Sequence, residues 1–106
     1  MIIAITCEKP VLDSLVDERF GRCNSFYIYD TIAKNGYFAE NPYREDGHGV
    51  GNKIVEFLAT KLVGAIYAVE FGSKAQPLLD TLKIQTNTVS KNNTVASIVD
   101  NINLKK

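Results

Sequence analysis

The sequence predicts an α/β protein with a mixed five-stranded sheet. The sheet opens with an antiparallel hairpin and continues as alternating strands and helices. Three observations carry this reading. The chain begins on an unbroken, β-branched apolar run at residues 2–6, the pattern of a strand covered on both faces. A period-two segment at 25–30 is followed closely by Asn35-Gly36, a strong hairpin signal. From residue 50 onward, helical spacing and short apolar strands alternate to the end of the chain.

Taken in order, "IIAIT" (2–6) is the central strand. In "SFYIYD" (25–30), Phe26 and Ile28 share one face and Tyr27 and Tyr29 the other, which predicts a half-buried strand. Asn35-Gly36 marks the turn, and "YFAEN" (37–41) is the returning strand, stopped by Pro42. After a glycine-rich loop at 47–51, Ile54, Phe57, Leu58 and Leu62 recur at helical spacing, with Lys53, Glu56 and Lys61 between them. Gly64 reads as the stop of that helix. "AIYAV" (65–69) is a buried strand. Ser73 and Gln76 have capping-box spacing at the head of a second helix carrying Ala75, Leu78, Leu79 and Leu82. Pro77 forgoes one early backbone bond and can move that start later by a residue or two. "KIQTN" (83–87) is the last strand. Thr94 caps a third helix bearing Val95, Ile98, Val99 and Ile102, with Lys105 and Lys106 near its negative end. Right-handed crossovers make the later strands parallel to the first. No linker or repeat interrupts residues 1–106, which read as one domain.

The composition narrows the function. Apolar content of 45% and charged content of 23% are ordinary for a folded chain. Twelve basic and twelve acidic residues cancel, so no basic face argues for nucleic acid as a partner. The longest apolar stretch is broken by Glu70 and is too short to span a bilayer. "MIIAITCEKP" lacks the pattern of a signal peptide. The expectation is a cytoplasmic protein with no membrane partner. In a reducing compartment Cys7 and Cys23 are thiols rather than a disulfide, and the sequon Asn92-Asn93-Thr94 has no consequence.

The predicted strand directions gather the unusual residues at one edge. Cys7 ends the first strand, Arg22 and Cys23 precede the second, and the loops 44–52 and 70–73 lie at the same end. Gly21, Gly47, Gly49, Gly51 and Gly72 fall there too. Open α/β sheets take ligands outside the carboxyl ends of their parallel strands. Each residue also has a plainer role. Cys7 at a strand end reads first as a small buried side chain. Cys23 reads equally as ligand or bystander, and Arg22 beside it favours the thiolate. His48 is solvated unless its flanking glycines give it reach. "GHGVGNK" can present backbone amides to an anion, but its spacing fits neither a Walker loop nor a dinucleotide fingerprint.

"DERFGRCNSFYIYD" (17–30), then "ENP" (40–42), a glycine-rich helix opening, and a strand leading into "FGSKA" (71–75) resemble the dinitrogenase iron–molybdenum cofactor biosynthesis domain. That domain is shared by NifX and NafY proteins and by the C-terminal part of some NifB proteins. The resemblance runs from Ile2 to Ile102, and the Phe20-Gly21-Arg22 stretch with its aromatic strand is its most specific part. It implies a ribonuclease H-like α/β fold. It also implies binding of an iron–sulfur or iron–molybdenum type cluster, or its precursor, by a carrier or accessory protein that is not an enzyme. Metallocluster donor and acceptor proteins would be its partners. The sequence departs from the family pattern where the fourth strand ends. Val69 and Glu70 replace the usual small residues, and Ser73 stands where proline is usual. The Glu70 carboxylate there either repels an anionic cluster or supplies an oxygen ligand.

On this reading the Phe20–Cys23 loop is one wall of a cluster site and the His48 loop the other. Phe20 anchors the wall, Gly21 lets backbone approach, and Arg22 offsets negative charge. Cys23 and His48 are candidate metal ligands, with Cys7 as a third. The amides from Gly49 to Gly51 donate to the cargo, and Gly72 lies nearby. Two Cys and one His cannot complete four-cysteine ligation within one chain. The nuclease chemistry found on ribonuclease H-like folds needs converging carboxylates, and the first strand has none. Two other functions stay open. One is an enzyme or sensor for a small anion, with Cys23 as nucleophile and His48 as base. The other is an interaction module without a ligand.

Overall fold

A computed structural model describes residues 1–46 and 50–104. Its elements are β1 (Ile2–Cys7), β2 (Ser25–Asp30), β3 (Asn35–Glu40), α1 (Val50–Thr60), β4 (Val63–Ala68), α2 (Gln76–Thr81), β5 (Gln85–Thr88) and α3 (Val95–Leu104). The strands form one five-stranded sheet in the order β3-β2-β1-β4-β5. β2 is antiparallel to β1 and β3, and β4 is parallel to β1 and β5. The predicted hairpin and crossovers are therefore present.

The alternation of side chains along the strands divides the core into two layers. Ala4, Phe26, Ile28, Ile66 and Ala68 pack with Ile54, Val55, Leu58 and Leu79 on the side of α1 and α2. Ile3, Ile5, Cys7, Tyr27 and Tyr29 pack with Val95 and Ile98 of α3 on the other side. β2 is thus buried on both faces, not on one as its alternation suggested. Tyrosine tolerates this because its polar tip finds a partner. Tyr29 OH accepts from Asn103 Nδ2 at 3.2 Å. Burial raises the Tyr27 phenol pKa, with the neighbouring Tyr29 and Cys7 adding to it.

Three local expectations shift. The β2–β3 turn is residues 31–34, where Asp30 Oδ1 accepts from the amides of Ile32 and Ala33 at 2.8 and 3.0 Å. Asn35 and Gly36 lie inside β3, paired with Asp30 and Tyr29. Gly36 is needed there because a Cβ would come within 2.5 Å of the Ile28 carbonyl oxygen. α1 ends through Leu62 at φ 63°, whereas Gly64 lies within β4. α2 starts at Gln76 without a side-chain cap, so the Ser73 capping box does not form. The α3 cap does form: Thr94 Oγ1 accepts from Ser97 N–H at 3.1 Å, and Ser97 Oγ accepts from Thr94 N–H at 3.0 Å.

Candidate functional site

The Phe20–Arg22 stretch is a single turn of 3-10 helix at the carboxyl edge of the sheet. Phe20 is buried, with its ring centroid 5.5 Å from Phe71 and 6.3 Å from Phe26. It fastens the turn to the core, as expected of an aromatic anchor. Asn41 ties the turn from the other side. Its buried Nδ2 donates to the carbonyls of Gly21 and Cys23 at 3.1 and 3.0 Å, and its Oδ1 accepts from Tyr43 N–H at 2.9 Å. The sequence reading gave Asn41 no such task. The signal available was a polar residue between a strand end and Pro42.

Two open clefts meet at Arg22. One, of about 380 Å³, is walled by the Phe20–Arg22 turn, by Val50 and Gly51 at the head of α1, and by residues 71–75. Phe20, Gly21, Arg22, Gly51 and Gly72 all line it, so the fold brings these five predicted residues together. Gly72 has φ 75°, the left-handed region that side chains disfavour. Gly51 faces Ala75 across the cleft, where an added Cβ would only reach van der Waals contact at 3.4 Å. Glu70 lies in an adjoining hollow with Glu18, Arg19, Phe20, Gly21, Phe71 and Gly72.

The second cleft, also about 380 Å³, is polar and lined by Glu8, Arg19, Arg22, Asn24, Arg44 and Glu45. It holds all three arginines of the chain. Arg22 Nη1 donates to the carbonyls of Arg44, at 3.2 Å, and of Asp46. Arg19 forms a two-pronged pair with the buried carboxylate of Asp17, Nε to Oδ1 and Nη2 to Oδ2, both at 3.1 Å. This pairing raises the Arg19 pKa further. The guanidinium groups of Arg19 and Arg22 are therefore oriented before any ligand arrives. Neither Arg19 nor Arg44 was singled out from sequence.

The cysteines do not match their expected state. Cys23 is fully buried under the turn, and its thiol faces the Phe20 carbonyl oxygen at 3.6 Å. Burial pushes its pKa far above the ordinary thiol range, and the neighbouring Asp17 carboxylate and, after it, the Cys7 thiol group add to the effect. The expectation of a thiolate promoted by Arg22 is overturned, because Arg22 reaches toward residues 44 and 46. Cys7 is also buried, and burial raises its thiol pKa to about 12. Its side chain packs in the α3 layer, on the opposite face of the sheet from Cys23. His48, Gly47 and Gly49 lie outside the described residues. Among the described residues, no group of three or more His, Cys, Asp or Glu side chains could hold a metal ion. Nor is any helix among them long and apolar enough to cross a membrane.

Both clefts thus lie at the carboxyl edge of a mixed α/β sheet, one lined by arginines and the other by glycines and apolar side chains. The chain belongs to the dinitrogenase iron-molybdenum cofactor family, whose model matches residues 1–104. An uncharacterized protein of Methanocaldococcus jannaschii is 32% identical over 87 residues, covering 76% of this chain and 74% of its own length. Among solved structures, the apo form of the orange protein from Desulfovibrio gigas superposes with a TM-score of 0.87 at 31% identity. That match covers 93% of this chain and 83% of the other. A Thermotoga protein provisionally named NifB and placed in the DUF35 family superposes with a TM-score of 0.81 at 32% identity. It covers 93% of this chain and 84% of its own.

Proposed function

We propose that this chain is a non-catalytic accessory or carrier protein, acting as one domain. Its cargo is an anionic metal–sulfur cluster of iron–sulfur or iron–molybdenum type, or a precursor. The observation that carries the reading is the convergence of Phe20, Gly21, Arg22, Gly51 and Gly72 on one cleft, in a chain of this family. The strand order β3-β2-β1-β4-β5, with only β2 reversed against β1, supports a ribonuclease H-like fold. The orange protein relative is described as an apo form, a word that presupposes a loaded one.

The chemistry of the lining suits such a cargo. Val50, Phe71 and Ala75 offer apolar contact to a sulfide-rich surface. Arg22, with Lys74 on the same rim, offsets its negative charge. Buried, protonated thiols argue that the cargo is held by charge and amide contacts rather than through Cys23 or Cys7. His48 is the remaining candidate ligand. The same burial disfavours Cys23 as a nucleophile. Metallocluster donor and acceptor proteins are the proposed partners and the cytoplasm the proposed location.

Anaerobic incubation with iron, sulfide and molybdate, followed by gel filtration, absorbance and metal analysis, tests this. The wild-type chain should retain a coloured cluster. Arg22→Ala should weaken retention about tenfold or more, as expected when a charge-assisted contact is lost. Cys7→Ser should retain it fully. A wild-type chain that emerges free of metal and sulfide defeats the proposal, and loss in Cys7→Ser alone would restore a thiolate ligand.

A further inference from the structure

The polar cleft at the carboxyl edge has no part in the cargo reading, apart from the wall that both clefts share at Arg22. Glu8, Arg19, Arg22, Asn24, Arg44 and Glu45 surround it, and no aliphatic or aromatic side chain does. Every arginine of the chain lines it, and none of the lysines does. A guanidinium offers a rigid fork that matches carboxylate and phosphate, which an ammonium does not.

Three of these side chains keep donors that the fold leaves unused. Arg19 uses Nε and Nη2 on the buried Asp17 carboxylate, and its Nη1 meets no acceptor among the described residues. The Arg44 guanidinium makes no hydrogen bond among them either. Its paired carboxylate, Glu45, stands 3.9 Å from Nε and is 92% exposed. The Asn24 side-chain amide is likewise without a partner among the described residues, although its backbone is fixed on both sides. Asn24 N–H donates to the Cys7 carbonyl, and the Asn24 carbonyl accepts from Asn41 N–H, each at 3.1 Å. The Arg44 wall is tied to the rest of the cleft through its own carbonyl, which accepts from Arg22 Nη1 at 3.2 Å.

The charge balance selects the ligand. The guanidiniums are matched by the carboxylates of Asp17, Glu8 and Glu45, so the cleft has no formal net charge to draw in a bare anion. A bare anion would also be repelled by Glu8 and Glu45. A ligand with hydroxyl groups beside its anionic group satisfies both sets. Its oxyanion accepts from Arg19, Arg44 and Asn24, and its hydroxyls donate to Glu8 and Glu45. The lining offers no apolar face to a nucleobase or an acyl chain. We propose that this cleft is a second binding site, for a small hydroxylated organic oxyanion, either a phosphate ester or a hydroxy acid. The proposal stands apart from the cargo reading.

Calorimetric titration of the full, cluster-free chain tests it with two matched pairs: glycerol 3-phosphate against methyl phosphate, and malate against succinate. The hydroxylated member of at least one pair should bind, about fivefold or more tightly than its plain partner, as one net hydrogen bond contributes. The pair that responds assigns phosphate or carboxylate. Arg44→Ala keeps the backbone carbonyl that Arg22 uses and should weaken binding about tenfold. Glu8→Ala with Glu45→Ala should tighten binding of the plain anions and abolish the preference for the hydroxylated ones. Both glutamates are exposed, so circular dichroism should show an unchanged fold. Lys74 lines the cargo cleft and not this one, so Lys74→Ala should leave the binding as in wild type. No binding of any of the four compounds at millimolar concentration, equal binding within both pairs, or binding indifferent to Arg44→Ala would each overturn the proposal, whether or not the chain retains a cluster.

Discussion

At the carboxyl edge, the two clefts are lined by arginine, glycine and phenylalanine held in place by the core. Arg19 is fixed by a buried carboxylate, Arg22 by two carbonyls, and Phe20 by two other rings. At the amino edge, lysines and aliphatics stand on short turns. Lys34, Leu62 and Lys83 there adopt φ of 59°, 63° and 59°, a backbone conformation that non-glycine residues usually avoid. One end is pre-organised around two clefts, and the other is more exposed, with a smaller hollow of about 200 Å³ beside Ile2, Asp30, Tyr37 and Lys61. A pinned guanidinium loses little freedom when it meets an anion, so the first arrangement suits selective capture.

Substitutions should separate the ends sharply. Phe20→Ala should cost about 3–5 kcal/mol, because it empties a site between Phe26 and Phe71. Urea unfolding checks this, and a loss under about 1 kcal/mol would mean that the core does not hold the turn. Asp17→Asn should cost about 2 kcal/mol, since the pair with Arg19 loses its charge while one partner stays buried. Its companion signature is weakened anion capture without any change at the amino end.

The buried thiols give a pH dependence. Their folded pKa values are raised above the ordinary 9.0, so the folded chain holds more protons than the unfolded one above that pH. Stability should be full below about pH 9 and fall as pH rises toward 12, by up to about 1.4 kcal/mol per pH unit for each thiol. Flat stability from pH 8 to 11, or fast thiol modification of the native chain at pH 8, would show that the cysteines are open. The smallest effect belongs to the amino end. Leu62→Gly should stabilise by about 1 kcal/mol, because glycine adopts positive φ without strain and little packing is lost. A destabilised variant would show that Leu62 is packed rather than presented.

Much of the fold was legible because period and strand order are local signals. Ile2 to Thr6, the Tyr and Phe alternation of β2 and the Thr94 cap each announce their structure within a few residues. The boundary errors have a common cause. Asn35-Gly36 and Gly64 read as punctuation, but both glycines serve close packing inside strands, against Ile28 and Met1. The turns fell instead on Lys34 and Leu62, which carry no turn signature. At the site, the shared edge could be read from strand directions. The state of Cys23 could not, because burial depends on Phe20, Asn41 and Phe71 arriving from separate segments. Arg19 and Arg44 were hidden for the same reason: residues 25 positions apart share a cleft only after the hairpin has formed.

The central claim is that the carboxyl edge takes the cargo through charge and amides while the cysteines stay buried. Amide chemical-shift mapping of the full chain during anaerobic cluster titration tests it most directly. Shifts are expected at Gly21, Gly51 and Gly72 and at the Arg22 side chain, with Lys34, Leu62 and Lys83 unmoved. Shifts centred on Lys34 and Leu62, or cluster uptake that leaves Gly21 and Gly72 untouched, would contradict it.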